Sequence, residues 1–223
     1  GIVKGTSREN INIRSLVSTK VLKDRLNVSV GVNAVNGKSI GVSMGNEGAS
    51  VVDAMNYYSP TIPVRNEVGS WTIGNGSKNY NPLAMIEENP SETEFKRTQI
   101  IGKASLEIIE GLTWNANYSY LDSQHTYSAY NTRNSQLEGL SSKNGQASRN
   151  TYFGKEHTFE TYGNFERTFA DAHKVNLMAG YSWEERKTGD GFGLTVHDFY
   201  NDDLLWNNLT YASTIDGIPA VQS

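Results

Sequence analysis

The chain has no cysteine among its 223 residues, which excludes disulfide frameworks and thiolate metal sites. That absence leaves the compartment open, since secreted and outer-membrane proteins often lack cysteine too. No run approaches about eighteen consecutive apolar residues, so no transmembrane helix is present in the sequence. Basic residues form no strong patch and the net charge is −4, which removes nucleic acid as an expected partner. The opening Gly1-Ile2-Val3-Lys4 is neither a signal peptide nor a natural start, and the chain is expected to be an internal piece of a longer protein. With 37% hydrophobic residues it could form one large or two ordinary domains.

Period-two alternation is what the chain does have. From Phe95 to Asp122 it reads as a hairpin. Leu112, Trp114, Ala116, Tyr118 and Tyr120 alternate with Thr113, Asn115, Asn117 and Ser119, an apolar face backed by a face of amides and hydroxyls. The first arm sets Ile100, Gly102, Ala104, Leu106 and Ile108 against Gln99, Lys103, Ser105 and Glu107, and Glu110-Gly111 supplies the tight turn. Two further pairs repeat the plan. The strands are placed at about 8–18, 25–35, 95–109, 112–122, 157–169 and 174–186.

Between the pairs the chain turns polar. Asn36 to Glu94 is rich in Gly, Asn, Ser and Pro, with one expected helix at Asn46 to Ser59 whose face is Val51, Val52, Met55 and Tyr58. Ser123 to Lys155 and Arg186 to Ser223 read as loops, the last without a strand. Connections therefore run short, long, short, long, short. Loops beyond about 12–15 residues are uncommon in compact soluble domains, whereas a transmembrane β-barrel has tight periplasmic turns and long extracellular loops. A strand of about 10 residues tilted by about 40° covers roughly the 25 Å apolar band of an outer membrane. Trp114, Tyr118, Tyr120, Phe165, Phe169, Tyr181 and Trp183 suit its aromatic girdles. Six strands cannot enclose a passage, so the expected fold is all-β: a section of a large antiparallel transmembrane β-barrel with long extracellular loops and one short loop helix, its open edges needing partners.

Three segments carry a more specific resemblance. GIVKGTSRENINIRSLVSTKVLKDRLNVSVGVNA, NPLAMIEENPSETEFKRTQIIGKASLEIIEGLTWNANYSY and HKVNLMAGYSWEE resemble successive barrel segments of the SusC/RagA family of TonB-linked outer-membrane transporters. The marks are Asn81-Pro82-Leu83-Ala84 ahead of a strand, the Gly111-Leu112-Thr113 turn, and His173-Lys174-Val175-Asn176-Leu177 leading into Ala179-Gly180-Tyr181. The resemblance implies a large barrel in the outer membrane of a Gram-negative bacterium, with an N-terminal plug, powered through the TonB complex and capped by a SusD-like surface lipoprotein. It implies import of oligosaccharides or peptides. Plug, TonB box and final strand are absent from this sequence, so lipid is the partner expected for the section itself.

Other chemistry finds little footing. His125, His157, His173 and His197 are scattered without paired spacing, Gly74-Asn75-Gly76 and Gly189-Asp190-Gly191-Phe192-Gly193 lie in loops, and Asp198, Asp202 and Asp203 with Asn201 lack a cation-loop spacing. No metal or cofactor is expected, and no nucleophile, base and orienting group can be assembled into an enzyme site. The alternative to transport is a soluble secreted carbohydrate-binding module. In the alternative module the aromatic residues would serve as sugar platforms, whereas on the transport reading recognition falls on the longest loop. There Tyr57, Trp71 and Tyr80 are the candidate contacts for substrate or lid, set against the plainer role of packing the loop onto its neighbours.

Overall fold

The computed structural model describes residues 3–43, 50–75, 79–137, 140, 142–170, 173–216 and 220–221. One antiparallel sheet dominates it, each strand pairing with the next in sequence: β1 (Ser7–Val21), β2 (Leu26–Val42), β3 (Pro90–Ile109), β4 (Leu112–Asn131), β5 (Gln146–Phe169) and β6 (His173–Phe199). Two short strands, β7 (Ala212–Ile215) and β8 (Ala220–Val221), pair with the end of β6. Among the described residues the outer edge of β1 and the His173–Gly191 edge of β6 have no strand beside them, so the sheet is open.

Directly opposed residues share a face, which turns the register into a map of both surfaces. Val17, Val30, Gly102, Tyr118, Phe159 and Trp183 form one row across six strands; Thr19, Val28, Ala104, Ala116, Thr161 and Tyr181 form the next. Leu26, Leu106, Trp114, Gly163 and Ala179 continue this apolar face toward the turns, and Leu112, Phe165 and Leu177 close it. Asn27, Ser29, Asn33, Asn115, Asn117 and Ser119 stand on the opposite face, where Gln99 Nε2 donates to Ser119 Oγ at 3.2 Å. The apolar face stops at a row of Ala34, Thr98, Asp122, Lys155 and Lys187. Among the described residues nothing covers it in between: Val30 is 50% exposed and Leu177 62%.

Beyond that row the strands go on, which corrects the expected loops. β4 runs to Asn131 and β5 starts at Gln146, taking in most of Ser123 to Lys155, while β6 reaches Phe199 and β7 and β8 follow inside Arg186 to Ser223. Likewise β2 extends to Val42 and β3 begins at Pro90, shortening the Asn36 to Glu94 loop from both ends. These extensions mix polar residues on both faces with a few buried apolar ones, Tyr130, Ala147, Val196 and Phe199, so period-two hydropathy fades there although ladder pairing continues. The loop holds two helices rather than one, α1 (Val51–Tyr57) and α2 (Pro82–Glu88). Val51 and Ala54 form the buried side of α1; Val52 and Met55, expected on that side, are exposed. Residues 46–49 of the expected helix lie outside the described residues.

The short turns share one rim. Leu22, Lys23 and Asp24 all have positive φ (54°, 56° and 67°), and Arg25 fixes that turn to the next pair: its carbonyl accepts from Glu107 N at 2.8 Å, its Nε donates to Glu107 O at 3.1 Å and its guanidinium also reaches Ile108 O. These bonds cap the register shift between Glu107 and Ile109. Gly111 has φ of 81° and its carbonyl accepts from Glu166 N at 2.7 Å; a Cβ there would lie 2.4 Å from Glu166 O. Among the described residues the buried hydrophobic side chains lie at the other rim, most of them in two clusters beneath the long loops.

Candidate functional site

The loop rim is where this chain builds shape. Ser50 caps α1 by accepting from Asp53 N at 3.1 Å, and Asn81 caps α2 by accepting from Leu83 N and Ala84 N at 3.1 and 3.4 Å, with Pro82 opening the helix where its missing N–H costs nothing. Val51, Ala54, Tyr80 and Met85 pack with Leu137 and Leu140 of the 132–145 connection. Buried amides stitch the two loops together. Asn81 N donates to Gln136 Oε1 at 3.0 Å, Gln136 Nε2 to Thr72 O at 3.0 Å, and Asn89 Nδ2 to Met85 O at 3.1 Å while its Oδ1 accepts from Ser135 Oγ. A folded cap results, because the amides of Asn81, Gln136 and Asn89 recover partners as they leave water.

At its edge residues 64–72 form a hairpin tip. Asn66 Oδ1 accepts from Val68 N and Ser70 N at 3.2 and 2.9 Å, and Arg65 and Trp71 face each other with the guanidinium carbon 3.6 Å from the indole centroid. Trp71 Nε1 donates to Glu88 Oε1 at 2.6 Å, and Thr132 Oγ1 donates to the other oxygen of Glu88. A hollow of about 650 Å³ opens between this tip and Arg133 to Leu137.

The three candidate contacts therefore separate. Tyr57 is 74% exposed on α1; Trp71 is half-buried, one ring face under Arg65; Tyr80 is 7% exposed inside the hydrophobic cluster, which takes it off the surface. Sequence reasoning missed Arg65, Glu88 and the paired Asn81 and Asn89. Only the cap signature at Asn81-Pro82 marked that second helix, since seven residues are too few to display a period.

The second cluster sits on β4, β5 and β6: Tyr130, Ala147, Val196 and Phe199 under Trp206 and Leu209. Tyr130 OH donates to Asp202 Oδ1 at 2.7 Å and Arg133 Nε to Asp202 Oδ2 at 3.1 Å, so this carboxylate, a cation candidate by composition, is occupied in tying down the loop. Burial, then the bond to Asp202, pushes the Tyr130 hydroxyl far above its ordinary value. Gly145 is required here, its φ being 80° and a Cβ falling 2.4 Å from Tyr130 OH.

Beside it His197 lies between two carboxylates, Nδ1 2.9 Å from Asp198 Oδ2 and Nε2 3.3 Å from Asp216 Oδ1. The hydrogen bond from Thr214 holds Asp198 below the ordinary carboxylate value, and the bond from Lys143 does the same for Asp216. Both are depressions, so the stability they lend is full above the ordinary value of 3.8 and is lost as pH falls below it through the folded values. The Asp216 N–H donates to Thr195 O at 2.9 Å. Its hydrogen-exchange protection, corrected for intrinsic rate, should hold down to about pH 4 and drop between there and about pH 2. Constant protection over that interval would mean these carboxylates do not hold β7 in place.

No family model matches the chain. It is 26% identical over 169 residues, 74% of its length, to TonB-dependent receptor P39 of Formosa agariphila, and spans 15% of that protein. In structure 97% of the chain superposes on a chain of the RagAB peptide importer, with a TM-score of 0.71 for the closed-closed state and 0.73 for the open-open state. Identity there is 13% and the chain covers 24% of its counterpart, so this likeness concerns the fold: a section of that larger barrel. The two findings agree with the SusC/RagA-like resemblance carried by the sequence.

Proposed function

We propose that this section of a SusC/RagA-like barrel is part of an outer-membrane transporter importing oligosaccharides or peptides, powered through TonB and working with a SusD-like surface lipoprotein. The apolar face meets lipid and the polar face lines the passage. The turn rim faces the periplasm, the loop cap faces outward, and Tyr57 and Trp71 on that cap contact substrate or lid. One observation carries the reading: an apolar surface six strands wide, bounded by charges and left uncovered among the described residues. A soluble binding module would bury such a face under a second sheet.

Sidedness tests it. The section has no cysteine of its own, so within it a single introduced cysteine is the one labelled site. In the full-length protein on intact cells, an impermeant maleimide should label Val68→Cys at the cap tip and spare Asp24→Cys at the turn until the outer membrane is opened. Equal labelling of both in sealed cells would overturn the orientation.

A further inference from the structure

His197 bridges two elements on the loop rim. Its Nδ1 lies 2.9 Å from Asp198 Oδ2 and its Nε2 3.3 Å from Asp216 Oδ1, and the side chain is only 16% exposed. The bond from Thr214 and the bond from Lys143 hold these two carboxylates below their ordinary value, so at neutral pH both are ionised and can only accept. Each ring nitrogen must therefore donate. Only the imidazolium carries two N–H groups, and the bridging geometry belongs to the protonated ring. The neutral ring keeps one. Whichever nitrogen retains it, the other turns a lone pair on a carboxylate and one side of the bridge is lost.

Both carboxylates hold β7 against β6. Asp216 follows β7 and its N–H donates to Thr195 O at 2.9 Å, while Asp198 Oδ2 accepts from Thr214 Oγ1 within β7 at 2.9 Å. Lys143 and Gln146 Nε2 also bond Asp216 Oδ2, the latter at 2.9 Å, and Asn144 N donates to Asp198 Oδ1 at 3.4 Å, which ties in the 132–145 connection. Across the ladder from His197 stand the neutral Gln146 and Asn131, so among the described residues the charges around the ring are Asp198, Asp216 and, behind Asp216, Lys143. Between β6 and β7, Trp206 and Leu209 cover Tyr130, Ala147, Val196 and Phe199. His197 fastens the β7 end of that cover. At the corner Asp198 has a φ of 64°, a left-handed conformation unfavourable for a residue with a Cβ and kept here by its bonds.

We infer that His197 is a proton-operated clasp, closed while its ring is charged and slackened when the ring is neutral, which sets how firmly residues 200–216 are held on the loop rim. Both bridges need the charged ring, so the stability they lend is present while it is protonated and is lost as pH rises through the range where histidines ordinarily lose their proton, about pH 5 to 8. The carboxylates act in the opposite sense, failing only below their ordinary 3.8. Hold is firmest between the two. On the transport reading this rim meets the outside medium, whose pH then governs the segment. The clasp itself stands without that reading, because every contact in it is internal to the section.

The test is hydrogen exchange on the full-length protein in detergent, read at the Asp216 amide and corrected for intrinsic rate, with the Glu166 amide at the turn rim as control. From about pH 6 to about pH 8.5 wild type should lose about tenfold in protection at Asp216, as expected of one charge-assisted hydrogen bond at a partly exposed site, while Glu166 stays level. His197→Gln should remove this response and keep the loss of protection below about pH 4 that the carboxylates cause. Asp216→Asn leaves the ring one carboxylate, which a neutral imidazole can satisfy, so it too should flatten the alkaline response. Level protection at Asp216 across that interval in wild type, or a response that survives in His197→Gln, overturns the inference. If the Gln variant leaves the segment open at every pH, Asp216→Asn decides: a response that persists there overturns the inference, and a flat one supports it. Failure of the cysteine labelling would remove the role of the outside medium and leave this result standing.

Discussion

Val28→Lys and Val30→Lys should each reduce correctly assembled barrel in the full-length protein by the equivalent of about 2–4 kcal/mol, while Asn27→Lys should assemble as wild type. Val30 is half exposed, and in a soluble protein an exposed valine-to-lysine change would move stability by only about 0.5 kcal/mol either way. The contrast arises because hydrocarbon can neither hydrate an ammonium group nor hydrogen-bond it. Depth grades the effect. Val28 lies in the middle row of the apolar band, level with Ala116 and Tyr181, and Leu177 lies in the row nearest the turns. Leu177→Lys should therefore cost less, since its side chain can reach the headgroups. The assembled fraction, read from heat-modifiable mobility on gels, checks the series. Equal assembly of the Val28 and Asn27 variants would sink the lipid-facing assignment.

Met85→Ala should unfasten the cap and leave the barrel standing. Met85 is 1% exposed, and removing its side chain from a packed site costs about 2–5 kcal/mol, a large share of what so small a cluster can supply. Limited proteolysis should then cut between α1 and α2 faster by roughly the corresponding factor of thirty or more, with heat-modifiability unchanged. Uptake and lid association should fall with it. Trp71→Ala separates packing from recognition: it removes the ring over which Arg65 lies and frees Glu88 from one donor, yet leaves the Met85 cluster intact. If Trp71 contacts substrate or lid, uptake falls while the cap stays resistant to protease. If uptake survives loss of the whole cap in Met85→Ala, recognition lies elsewhere on the protein.

What the sequence determined by itself is the part of the chain where each residue's face is forced. Along Leu26 to Ala34, Leu112 to Tyr120 and Val175 to Trp183, one side chain in two must suit an apolar surrounding, and a register slip of one residue would exchange the faces, so alternation alone gives strand, face and turn position. The order of the pairs and the lengths between them then implied an open section of a barrel. Tertiary structure decided the rest. The outer halves of β4, β5 and β6 are covered on one side only where Trp206 and Leu209 reach Tyr130, Ala147, Val196 and Phe199, so no regular alternation is imposed and the neighbouring ladders keep them extended. Which side of α1 is buried depended on where Leu137 and Met85 arrive from outside the helix, and seven residues cannot announce that themselves. Tyr57, Trp71 and Tyr80 look alike as aromatic residues in one loop. Burial and partners, set by the 132–145 connection and by α2, left Tyr57 in solvent, put Trp71 between Arg65 and Glu88, and enclosed Tyr80. The polar face shows the same origin: Arg14 and Lys103 are 89 residues apart in sequence, and it is the pairing of both β1 and β3 to β2 that brings them to the wall of one hollow.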